Sequence, residues 1–336
     1  MAYDVFMDGW DRTEGDPGRM WVAYSGAAVI VNPTAGRRDT PCLEREYGAA
    51  ADDWIRSVLF TPSAKVTLGL AIYLTGGEQS IELRLAHNWG RQIAVKISDF
   101  GLYSIIDGSG VDIWTSSDTL PLNAWAHLEF AVFCDAAGSY ELRVNGIVKA
   151  YDASHDTQSV GSSLINSIYI GWDGPGDTGC LIDDLFFLYG DELKFIGDCR
   201  VDTLPLVANA TPQDWGRNPA ETPAEDAYTL LNQDAGSIYA IANDAESIFE
   251  VDDLTHAAYY VYGVQVVTRA GKTDAGTAAM VLELESGATV AESEQIGLTT
   301  SKLTYWESWP NNPDGDTAWT LGTVNAANVG VKSVAL

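Results

Sequence analysis

Catalysis and ligation need side chains that ionise, attack or coordinate, held at spacings that let them act together. Two carboxylates two residues apart on an extended strand project from one face, close enough to flank a glycosidic bond. Glu283 and Glu285 in LELES have that spacing. Asp183 and Asp184 are adjacent, so regular alternation sends them to opposite faces. The four histidines, His87, His127, His155 and His256, lie outside any G-x-S-x-G elbow, HExxH pair, phosphate-binding loop or strand-following G-x-G-x-x-G. They read as surface or half-buried strand residues. Cys42, Cys134, Cys180 and Cys199 form neither a CxxC pair nor a metal-ligand spacing, and read as buried free thiols of a chain made in a reducing cytoplasm. No catalytic residue is assigned.

Two binding chemistries remain. The loop DGPGDTG and the strand after it bring four carboxylates within a dozen positions. Calcium takes about six to eight oxygens, which flexible Asp/Gly loops supply, so Asp173, Asp177 and Asp184 are the candidate ligands. The competing reading is a solvated acidic loop in an acidic chain. Sugar rings stack on exposed aromatics at strand ends or loop rims. Trp89, Trp114 and Trp172 occupy such places; otherwise they are core or interface tryptophans. Trp306 and Trp309 in YWESWP read as packing residues of the second half.

The elements that must position these residues are strands. Tyr140, Leu142 and Val144 alternate with Glu141 and Arg143, Asn145-Gly146 supplies a two-residue turn with two positive φ angles, and Ile147, Lys149 and Tyr151 return. In WAHLEFAVF, Leu128, Phe130 and Val132 share one face while His127 and Glu129 share the other. VTLGLAIYL, SIELRLA, RQIAVKI, SIYIGW and LIDDLFFLY are further strands between Gly, Asp, Asn and Pro clusters. Residues 48–60 are the best short-helix candidate. FIGDCRVDTLPLV reads as a strand leaving the first domain, NATPQDWGRNPAETP as a linker, and the end as a turn of helix followed by a strand.

The 336 residues suit two domains. The formal net charge is −28, and it is spread evenly: residues 1–197 hold 13 Lys+Arg against 27 Asp+Glu, the remainder 6 against 20. Such a chain repels phosphate backbones and anionic membranes, which argues against nucleic-acid binding. The N-terminus MAYDVFMDGWDRTEGD has neither the basic nor the apolar region of a signal peptide, and no run of about 18 apolar residues predicts a membrane span.

NAWAHLEFAV, SYELRVNG, IGW and IDDLFFL, in that order, resemble the concanavalin A-like jelly roll in its laminin-G and pentraxin-like branch. The resemblance covers roughly residues 1–190 and implies fold more than function. Some enzymes of that fold carry carboxylates alternating as E-x-D-x-E on one strand, a motif this chain lacks, and the family often places calcium near the acidic loop. FIGDCRVDTLPL, Trp215, Tyr228–Asn232, YGVQVVTRAGKTDAGTAAM and YWESWP…TAWT resemble a domain that recurs in structural proteins of tailed bacteriophages.

The expectation is therefore an all-β chain: an N-terminal concanavalin A-like jelly-roll sandwich (residues 1–194) followed by a smaller C-terminal β-sandwich for docking or oligomerisation (195–336). The resemblance implies a non-enzymatic structural component of a tailed-phage virion, a minor tail or appendage protein or a capsid-surface decoration. It would be made in the host cytoplasm, contact other virion proteins, form a homo-oligomer (a trimer by analogy with phage appendages) and bind host surface glycans. A carbohydrate-binding lectin-like module and a polysaccharide-degrading enzyme are the alternatives.

Overall fold

The computed structural model describes residues 3–8, 21–24, 29–32, 34–38, 41–45, 53–57, 59–76, 80–98, 100–159, 161–173, 180–217, 227–232, 237–240, 242–256 and 260–335. The chain divides into two units, Met1–Val201 and Asp202–Leu336, so residues 195–201 fold with the first. The described residues are overwhelmingly in strands and turns, as the sequence predicts, and no described helix is long and apolar enough to cross a membrane.

The first unit is a two-layer antiparallel sandwich of jelly-roll type. Its first sheet runs in the order Ile147–His155, Gly138–Val144, Trp125–Phe133, Lys65–Leu74, Cys180–Gly190, Cys42–Arg45, Val29–Asn32, with Tyr3–Asp8 also paired to Cys180–Gly190. The second runs Asp112–Thr119, Leu102–Asp107, Gly90–Ile97, Ser80–His87, Ser167–Asp173, Asp53–Ser57, Trp21–Tyr24. Strands distant in sequence are neighbours in both sheets. Period-two patterning makes the core: Leu68, Leu70, Ile72, Leu128, Phe130 and Val132 from the first sheet are buried, as are Ile81, Leu83, Leu85, Ile93, Val95, Ile168 and Ile170 from the second. The Asn145-Gly146 turn has φ angles of 51° and 76°, as a two-residue hairpin requires.

The outer face of the first sheet is covered. Residues 191–201 cross it as an irregular strap, and the strand expected over 195–207 begins only at Leu206. Ile196 and Cys199 pack with Met7 on Phe186 and Leu188. Glu129, on the expected polar face, is buried beneath the strap, where its Oε1 accepts the backbone N–H groups of Ile196 (2.9 Å) and Gly197 (2.8 Å). Arg143 lies 3.6 Å from the centre of the Phe195 ring, and Arg37 pairs with Asp198 through both terminal nitrogens. Gly69 admits the ring of Phe186, which occupies the space a Cβ would need. His127 is buried and stacked on that ring instead of being a surface or half-buried residue, and burial lowers its pKa to about 4.

Residues 53–57 form a strand, not the expected helix, because Trp54 and Arg56 alternate with the buried Ile55 and Ser57 and pair with both neighbouring strands. In the second unit a sheet runs Leu206–Gln213, Glu246–Val251, Asn328–Val334, Ala279–Ser286, Thr289–Glu292, with Ile296–Gly297 also on Ala279–Ser286. The first of these strands takes up part of the expected linker. A ribbon of Val264–Ala270 and Leu303–Trp309 contributes Val266 to a core with Leu284, Trp319, Val324 and Ala327. The terminal helix Leu321–Asn325 starts at a Thr320–Thr323 capping box and precedes the last strand, as expected.

Candidate functional site

The second sheet leaves a row of side chains on its outer face. Trp54 and Arg56 come from one strand, Glu82 and Arg84 from another, Tyr169 from the strand between them, and Lys96 stands opposite Glu82 on the next. Their inward neighbours Ile55, Leu83, Ile170 and Val95 are core, so alternation alone turns these six residues outward. Trp89 reaches the same face from the two-residue turn after Ser80–His87. Asn88 takes φ 54° there, its N–H donates to Asn166 Oδ1 (2.7 Å) and its carbonyl accepts the Tyr169 hydroxyl (3.0 Å).

Rings and guanidinium groups interleave. Arg84 lies 4.1 Å from the centre of the Trp54 ring and 5.6 Å from that of Tyr169; Arg56 lies 3.9 Å from Trp89 and 5.9 Å from Tyr169. Tyr169 is the buried floor of the row, and Trp89 is 57% exposed at its end. Glu82 fixes the guanidinium groups: Oε1 accepts from Arg84 Nε (2.9 Å) and Arg91 Nε (2.7 Å), and Oε2 from Arg91 Nη2 (3.0 Å). Such forked pairs set the orientation of a planar cation as well as its position. Trp54, Ser80, Glu82, Arg84, Arg91, Lys96 and Gly171 line a groove of about 220 Å³. Drug-sized ligands usually need ~300 Å³ or more, so this space suits one ring of a longer ligand.

Gly171 creates room for that groove, since the Trp54 ring lies where its Cβ would be. Gly171→Ala should displace the ring while leaving the sandwich folded. The expected result is loss of at least about tenfold in ligand affinity, a free energy of ~1.4 kcal/mol, with an unchanged far-ultraviolet circular dichroism spectrum.

The sequence-derived candidates separate. Trp89 is on this face. Trp114 is opposite Ile105, on the side that carries the core, and packs against Tyr103 (centroids 5.8 Å). Trp172 is a correction: only 1% of it is exposed, on the inward side opposite Ile81, where no sugar can reach it. Sequence reasoning missed Trp54, Arg56, Arg84, Arg91, Lys96 and Tyr169. The available signal was cations at outward strand positions of an otherwise acidic chain.

The calcium candidates do not converge among the described residues. Asp177 lies outside them, and Asp173 ends a strand of the second sheet while Asp184 sits in the first. Asp184 does not fit an open ligand. A register break and a φ of 50° bury it together with Asp183, contrary to the alternation expected of that pair. Its Oδ1 accepts the Val201 N–H (3.0 Å), and its Oδ2 lies 3.6 Å from Arg37 Nη1 and 3.5 Å from Arg38 Nη1. Burial, then the charge of Asp183, raise its pKa to about 6. Among the described residues no group of three His, Cys, Asp or Glu could hold a metal.

Glu283 and Glu285 do share a face, but they are tied into the second unit's sheet: Glu285 Oε2 accepts from Asn328 Nδ2 (3.0 Å), and Glu283 Oε1 lies 4.0 Å from Lys332 Nζ. Burial, with Glu246 next, raises the Glu283 pKa to about 7. A carboxyl whose folded pKa exceeds its unfolded value leaves the folded state progressively less stable as pH rises through that interval. Glu283→Gln should therefore match the parent near pH 4 and exceed it at pH 8 by about 3 kcal/mol, measured by urea unfolding at both pH values.

No protein-family model matches the sequence, and no curated protein matches it. Solved structures similar to part of the chain include alginate lyase Aly36B (12% identity, 57% of this chain and 99% of that one, TM-score 0.38). Others are the carbohydrate-binding module CBM66 from Bacillus subtilis (12%, 50% and 94%, TM-score 0.36) and an endo-β-1,4-glucuronan lyase from Trichoderma reesei (10%, 55% and 94%, TM-score 0.39). The strand order and register described above define the class: an antiparallel jelly-roll sandwich with an aromatic, cationic outer face, joined to a second all-β unit.

Proposed function

We propose that this chain is a non-enzymatic glycan-binding protein, with the Trp54–Tyr169–Trp89 face as its combining site, and that it serves as a structural component of a tailed-phage virion. The observation that carries the glycan reading is the interleaved row of aromatic rings and oriented guanidinium groups beside a groove sized for one ring. Aromatic rings supply stacking area, and fixed N–H donors read hydroxyl or acid groups. The non-enzymatic reading is supported by Glu82, the one carboxylate among the described residues lining the groove, which is engaged by two arginines. The virion setting rests on the sequence resemblance of residues 195–336. In a homo-oligomer on a particle, weak single contacts with host surface glycans would sum by avidity.

A glycan array followed by calorimetry tests the binding site. Trp54→Ala and Trp89→Ala should each lower affinity about tenfold or more, since aromatic stacking is worth ~1 kcal/mol or more beyond the area it buries. Indifference of both variants would remove the face as the combining site. Turnover of any polysaccharide by the pure protein would overturn the non-enzymatic reading. Failure to detect the chain by mass spectrometry of purified particles would overturn the virion setting.

A further inference from the structure

Resting on the glycan reading above, we infer that the ligand of this face is an anionic glycan, a chain bearing carboxylate or sulfate groups, and that neutral sugars are selected against. Among the described residues of the groove and its row, Arg84 and Arg91 share the carboxylate of Glu82, and Arg56 stands beside them over Trp89. The chain as a whole has the opposite balance, 19 Lys+Arg against 47 Asp+Glu. Arg84 and Arg91 share one acid, whereas Arg143 has Glu141, Lys149 has Asp118 and Lys332 has Glu292. A local excess of positive charge on an acidic protein points to a ligand that brings negative charge.

The state of Arg56 sharpens the inference. Its guanidinium is stacked over Trp89, and its buried Nε has no hydrogen-bond partner. A neutral ring lying on Trp54 or Trp89 would further dehydrate Arg56 and Arg84 without compensating their charge, which is costly. An acid group set among them restores charge-assisted hydrogen bonds. The clamp by Glu82 leaves Arg84 and Arg91 oriented before the ligand arrives, so little side-chain freedom is lost on binding. Ring stacking would give affinity for the sugar, and the cations would choose among sugars by charge.

The test uses the full chain and four probes in calorimetry: an oligouronate, the same oligomer with its carboxyl groups reduced to alcohols, a sulfated oligosaccharide of neutral sugars, and a single-stranded oligonucleotide. The acidic glycans should bind at least about tenfold more tightly than the reduced oligomer. Arg56→Gln should weaken acidic binding several-fold and narrow the gap to the reduced oligomer, which no longer has to cover an uncompensated charge, with thermal unfolding confirming that the variant folds. Preference between the uronate and the sulfated probe identifies which acid group is read, and either supports the inference. Equal binding of the acidic and reduced oligomers overturns the anionic class but leaves the glycan reading standing. Tighter binding of the oligonucleotide than of any glycan overturns it in favour of a nucleic acid. No binding of any probe by the folded protein, together with a blank neutral-glycan array, overturns the combining site itself.

Discussion

Trp172→Ala should cost the first unit about 3–5 kcal/mol of stability, the range for removing a large aromatic side chain from a packed core. The indole is 1% exposed and sits on the inward side of its strand opposite Ile81, in the same layer as Ile168 and Ile170. Neighbouring strands hold their positions through backbone pairing, so the vacated volume collapses only partly. Trp89→Ala is the matched control. Trp89 is 57% exposed and its loss should change stability by less than about 1 kcal/mol, because the contacts it gives up, with Arg56 and Tyr169 among them, are made by a largely exposed ring. Denaturant midpoints of the two variants, with glycan affinity measured on each, separate the roles: Trp172 governs stability and Trp89 governs binding. A Trp172→Ala protein of parental stability that fails to bind sugar would reverse that assignment.

Glu129→Ala should release the strap over residues 191–201. The buried carboxylate is the shared acceptor for the Ile196 and Gly197 N–H groups, and hydrogen bonds to a charged acceptor contribute ~1.5–3 kcal/mol each. Losing the acceptor leaves both amides without it beneath partly apolar cover, so a destabilisation of about 3 kcal/mol is expected. Amide exchange is the discriminating measurement: Ile196 and Gly197 should exchange far faster, while the central strand Lys65–Leu74 keeps most of its protection. Glu129→Gln should fall between the two, because its amide oxygen still offers two lone pairs to the two N–H groups but as a neutral, weaker acceptor. If exchange at Ile196 and Gly197 is unchanged in Glu129→Ala, the strap is held by Phe195 on Arg143 and by the Arg37–Asp198 pair instead.

The outer face of the second sheet shows how far strand patterning can be read. Glu82 and Arg84 are visibly outward in SIELRLA, and Lys96 is outward in RQIAVKI. Trp54 could not be placed because residues 48–60 carry a mixed pattern whose ambiguity is settled only by pairing on two sides. Trp172 does stand next to the end of its strand, but alternation turns it inward opposite Ile81, into the core. The Asp183-Asp184 pair failed for a different reason: a bulge with positive φ breaks the alternation on which the expectation depended.

By itself the sequence determined the all-β class, most strand positions, the Asn145-Gly146 hairpin and which side chains of a strand share a face, because these follow from local backbone geometry with a period of two. Tertiary structure decided which strands became neighbours, which face was left open and which was covered by residues 191–201. Those outcomes depend on pairings and packing between segments far apart in the chain, which residue order alone does not specify. The row from Trp54 to Trp89 exists only after four separate strands and a turn have been placed side by side.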